Sequence, residues 1–130
     1  MPMYHDALRA VGISATIKPM TEIEPRPSKM AWAAANLVLL LCACAAWGWL
    51  DYLYVTQFWT PDEMRAATDW LMLGIIAASM LVNLWLLRKR SLAVHLLGAL
   101  AASLAVTALW WMAIALAGNA FHIAIGGTAG

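Results

Sequence analysis

Three polar side chains sit at matching depth in the apolar stretches of this 130-residue chain: Asn36, Asn83 and His95. Asn36 comes five residues after Ala31, Asn83 five before Arg88, and His95 five after Arg90. At 1.5 Å of helical rise per residue, each would lie roughly 7 Å inside the same membrane face. Unpaired polar groups are costly in hydrocarbon, so all three are expected to turn inward and find partners.

Two chemistries fit such a layer. The structural one is hydrogen bonding among Asn36, Asn83 and His95, each bond worth about 1 kcal/mol. The functional one is a cofactor site near that face. His95 could ligate a haem or chlorophyll, with the small Ser91, Gly98 and Ala99 beside it. Alternatively His95, Asn83, Trp85 and Arg88 could hydrogen-bond to and stack on a quinone head. A bis-histidine haem would need a second histidine at this depth, but His122 falls at the opposite face and His5 outside the spans. The structural reading is therefore the expectation. His95 shares a stripe with Gly98, Ala102 and Ala105, small residues that would let another backbone approach.

Other reactive types are sparse. Cys42 and Cys44 are two residues apart on one helix, about 200° around its axis, so they can neither bridge nor share a metal. Asp51 is placed near the C-terminal end of the first span, where the helix dipole disfavours an anion. Its expected counter-ion is Arg65, or else a basic group on a partner.

The elements that carry these residues follow from composition. With 64% hydrophobic and 12% charged side chains, the chain is far from a soluble domain. All fifteen charges fall in three patches: Asp6 to Lys29, Asp51 to Asp69, and Arg88-Lys89-Arg90. Between and beyond them lie uncharged apolar runs long enough to cross a bilayer. A net charge of +1 without a basic stripe argues against nucleic-acid binding.

The expected fold class is an all-α membrane protein with three transmembrane helices, the second and third forming a tight antiparallel hairpin. The polar segment 1–30 carries Pro19, Pro25 and Pro27, and within it Tyr4, Leu8 and Val11 share one stripe of a short amphipathic helix. The first span covers 31–54 and is expected to stay uncleaved, although Ala43-Cys44-Ala45 resembles a signal-peptidase site. Its far end is an aromatic belt of Trp47, Trp49, Tyr52, Tyr54, Phe58 and Trp59. In the loop segment 55–69, Thr60-Pro61-Asp62-Glu63 supplies an N-cap, a proline at N1 and a capping box, so helix two should begin at about Pro61. The second span covers 70–87, the turn 88–91 and the third span 92–117. Gly118-Asn119 is the expected helix stop, leaving 118–130 as an interfacial tail.

Orientation follows from basic residues. Seven lie in the N-terminal segment and the hairpin turn, against Arg65 alone in the intervening loop. The expectation is a cytoplasmic N-terminus and a periplasmic C-terminus in a cell inner membrane.

On helix two, Met72, Ile76, Ser79 and Asn83 form one stripe, and Gly74 and Ala78 lie nearly opposite. Two packing faces suggest a contact outside the chain. No span carries a mid-membrane acid or a proline break of the kind carriers use, and no nucleophile–base pair or metal cluster is evident. The expected function is thus non-catalytic: an accessory subunit of a larger inner-membrane complex, an electron-transport complex by architectural analogy. Its partners would be membrane lipids and other subunits. The alternative is a homo-oligomeric transport or permeation protein whose pore forms between copies.

Overall fold

The computed structural model describes residues 27–128. The amphipathic stripe expected at Tyr4, Leu8 and Val11 lies outside the described residues. Within them are three helices: α1 (Lys29–Gln57), α2 (Pro61–Leu87) and α3 (Leu92–Ala124). They are 29, 27 and 33 residues long, and each is long and apolar enough to cross a membrane. At 1.5 Å per residue they reach roughly 40–50 Å, longer than the hydrocarbon core, so their ends stand in the headgroup layers. Short connections force an up–down–up path, with the α1–α2 loop and the end of α3 on one side. The turn between α2 and α3 and the start of α1 share the other. This is a multi-pass membrane protein, and α2 and α3 form its most extensive helix pair.

Each helix start is fixed by a side-chain cap. The Ser28 hydroxyl accepts from the Ala31 amide at 3.0 Å, and Ser91 accepts from Val94 at 3.5 Å. At Thr60 the full capping box forms. Glu63 N–H donates to the Thr60 hydroxyl at 3.3 Å, and the Thr60 N–H returns a bond to the Glu63 carboxylate at 2.7 Å. That backbone N–H, with the Thr60 hydroxyl, holds the Glu63 carboxyl below its usual range. Pro61 at N1 loses nothing, because its missing N–H would have had no helical partner. α1 ends at Phe58, whose left-handed backbone (φ 54°) turns the chain so that the Trp59 N–H also reaches the Tyr54 carbonyl, at 3.3 Å.

The core is small. Ala43 from α1, Ile75 from α2, and Val106 and Trp110 from α3 meet at its centre, with Leu40, Trp47, Met72 and Ile114 packed around them. Most other large apolar side chains face outward, where lipid takes the place that water would have and the exposure carries no hydrophobic cost. The inward stripe of α3 is Ala99, Ala102, Ser103, Val106, Trp110 and Gly118. Ala105, expected beside His95 on that stripe, points outward.

One boundary differs materially from the sequence reading. α3 does not stop at Gly118-Asn119 but runs on to Ala124. Gly118 is a packing notch: a Cβ there would come within 2.9 Å of the Trp47 ring and 3.2 Å of Ile114. The absent side chain lets α1 and α3 close together, and the helix continues past it. Residues 118–124 are accordingly the last turns of α3 and not a separate tail.

Candidate functional site

Two of the three residues expected in a layer near the turn side meet. Asn83 is fully buried on α2 and faces Asn36 on α1. Its amide donates to the Asn36 oxygen at 2.8 Å and to the Ser79 carbonyl at 2.8 Å. Asn36 in turn donates to the Asn83 oxygen at 3.1 Å and to the Trp32 carbonyl at 3.0 Å. Both amide hydrogens of each residue are therefore used, and the pair closes on itself.

His95 does not join this pair. Its Nε2 lies 2.7 Å from the Leu84 carbonyl of α2. A carbonyl only accepts, so Nε2 carries a proton and donates it. The reason for the bond is the end of α2. The last four carbonyls of a helix have no partner within it, and the Arg88 N–H turns to Trp85 instead of Leu84. The imidazole satisfies the carbonyl that this tightened turn leaves over, from a position just inside α3.

The four residues considered for a quinone or haem do not converge. Asn83 has no amide hydrogen to spare, and Nε2 of His95 is committed to a carbonyl. Trp85 faces outward, with the Arg88 guanidinium 4.3 Å above its ring. Arg88 also donates to the Trp85 carbonyl at 3.2 Å, so this pair closes the helix end at the membrane surface.

On the loop side the expected Asp51–Arg65 pair is absent. Asp51 is 3% exposed on α1, and its Oδ1 accepts from His122 Nδ1 at 2.8 Å. The longer α3 is the cause: its last turns carry His122 up beside Asp51. Tyr54 packs against the imidazole, ring centres 5.9 Å apart. Beyond it, Gly126 takes φ +100° and the Gly127 N–H bonds back to the His122 carbonyl at 2.9 Å. This turn lays Gly127 against the imidazole so closely that a Cβ there would overlap it.

A groove of about 220 Å³ opens beside the pair, lined by Trp47, Asp51, Ile114, Gly118, Asn119 and His122. Asp51 Oδ2 faces no donor. Among the described residues it is the one buried side-chain nitrogen or oxygen without a hydrogen bond. A larger apolar groove of about 620 Å³ lies along the α1–α3 seam, walled by Gly48, Trp49, Tyr52 and Phe121.

Two further interhelical hydrogen bonds were not singled out from sequence. Ser103 donates to the Ile76 carbonyl at 3.1 Å, tying α3 to α2. Trp110 is wholly buried and donates to the Ala43 carbonyl at 3.2 Å, tying α3 to α1. Within α2, Ser79 is also fully buried and its carbonyl supports Asn83. A tryptophan in mid-span, away from the aromatic belt, was the available signal for Trp110.

Among the described residues no group of three or more His, Cys, Asp or Glu side chains is placed to hold a metal. No family model, curated protein or solved structure matches this chain.

Proposed function

We propose that this chain is a non-catalytic subunit of a larger membrane assembly, one that packs against its partners and stabilises them. The observation carrying the proposal is the hydrogen-bond balance inside the bundle. Asn36, Asn83, Ser79, Ser103, Trp110 and His95 are bonded to one another or to backbone carbonyls. Such a balance suits a scaffold, because catalysis or ligand capture within the membrane would need polar groups held in reserve. Among the described residues Asp51 Oδ2 is the single buried side-chain nitrogen or oxygen left out of this balance.

The outer surface supports the same reading. Gly74 and Ala78 are exposed on α2, opposite the face that carries Ser79 and Asn83, and a Cβ at Gly74 would meet nothing within 4 Å. Small residues on a lipid-facing surface admit a second backbone at close range. The basic residues favour a cytoplasmic N-terminus and hairpin turn, with the loop side in the periplasm of an inner membrane. The kind of assembly that architectural analogy favours is an electron-transport complex.

Purification of the tagged chain in mild detergent tests the proposal. Stoichiometric larger partners are expected. A pure homo-oligomer that confers solute flux on liposomes would overturn it in favour of the permeation reading.

A further inference from the structure

We infer that the groove beside Asp51 receives a basic side chain, lysine or arginine, from a partner subunit, whose cationic head donates to Asp51 Oδ2. The inference rests on the subunit reading above and names the chemistry of the contact.

Four observations point the same way. The first is the carboxylate itself: Asp51 is 3% exposed, one oxygen is held by His122, and the other has no donor. Buried polar atoms in folded proteins are paired almost without exception, so this oxygen asks for a donor from outside the chain. The second is the field. α3 ends at Ala124, within a turn of His122, and the partial negative end of its dipole adds to the carboxylate. A cation is favoured there and an anionic ligand is repelled.

The third is shape. The groove offers the Trp47 ring and Ile114 as apolar walls, with Asp51, the exposed Asn119 and His122 as its polar lining. A lysine or arginine has that amphipathy, an apolar stem and a charged head, and its cation can also lie against a tryptophan face. The fourth is that no lysine or arginine among the described residues is in ion-pair contact with Asp51. Among the described residues His122 is the one basic group in ion-pair contact with Asp51. It is held in place by Tyr54 on one side and Gly127 on another.

The test uses the full chain in its native membrane. A photo-crosslinking amino acid replaces Asn119, and cross-linked peptides are read by mass spectrometry. Cross-links are expected within one helical turn of a lysine or arginine of a single partner protein. Cross-links to lipid alone would assign the groove to an ammonium headgroup and overturn the inference, as would none at all.

Asp51→Asn keeps an oxygen for His122 but loses the charge. It is expected to retain wild-type helicity and thermal midpoint while recovery of the partner falls about tenfold or more. Asn119→Lys, which brings its own ammonium to the rim, should stay folded and displace the partner too. It serves as the deciding variant if Asp51→Asn does not fold. Undiminished partner recovery with a folded variant of either kind contradicts the inference yet leaves the subunit reading intact. A wild-type chain that retains no partner removes both.

Discussion

Asn36 and Asn83 exchange two hydrogen bonds across the α1–α2 interface, at 3.1 and 2.8 Å, each oxygen accepting from the other's amide. The geometry is reciprocal, so neither residue can be replaced without stranding the other in a medium that offers no water. Ser79 is drawn in through its carbonyl, which accepts the second Asn83 hydrogen at 2.8 Å. A polar pair of this kind fixes the register of two apolar helices that would otherwise slide, because dispersion contacts alone distinguish registers weakly.

A double-mutant cycle measures this pair. Asn36→Leu and Asn83→Leu are each expected to destabilise the bundle, with a coupling of about 1 kcal/mol recovered in the double variant. Reversible unfolding in detergent gives the three values. Additive losses would mean that the two amides do not depend on each other.

His95 is expected to discriminate between substitutions by donor ability. In His95→Gln the side-chain amide can still donate to the Leu84 carbonyl, so stability should stay near wild type. His95→Leu leaves that carbonyl bare and should cost roughly 1–2 kcal/mol. Equal damage from both, together with a visible absorption band lost in each, would restore an imidazole-ligated cofactor.

Gly118 and Gly74 should behave oppositely to alanine. Gly118→Ala pushes a methyl against Trp47 and Ile114, and overpacking of this kind costs roughly 1–3 kcal/mol. Gly74→Ala meets nothing within 4 Å and gains helix propensity, so the isolated chain should be at least as stable as wild type. Thermal unfolding of the two variants side by side decides the matter. A harmless Gly118→Ala would mean that the α1–α3 approach is looser than described.

These residues also show what could be read from the chain alone. The start of α2 was legible because its signals are local: Thr60, Pro61 and Glu63 cap the helix whatever else the bundle does. The Asn36–Asn83 pair was legible because depth is a simple count from charged boundaries. Gly118 was not legible, since a glycine that stops a helix and one that admits a tryptophan look alike in sequence. That single ambiguity moved His122 off α3 and left Arg65 as the nearest cation for Asp51. His95 was given Asn36 or Asn83 as its partner. Counting polar side chains overlooks the unbonded carbonyls at a helix end, and one of those, on Leu84, is what the imidazole meets.

Orientation is expected to follow the basic residues. A reporter active only outside the cytoplasm should be active when fused after Gly130 and silent when fused after Arg90. The reverse pattern would place the Asp51–His122 groove on the cytoplasmic side.

The most direct test of the scaffold role is removal of the chain from cells that normally make it. The partners that co-purify with the tagged chain are then followed by native gel electrophoresis of solubilised membranes. The account predicts that their assembly shrinks by more than this 14.1 kDa chain or falls in abundance, and that resupplying wild-type chain or His95→Gln restores it. A partner assembly that keeps its abundance and loses no more than the mass of this chain would contradict the account.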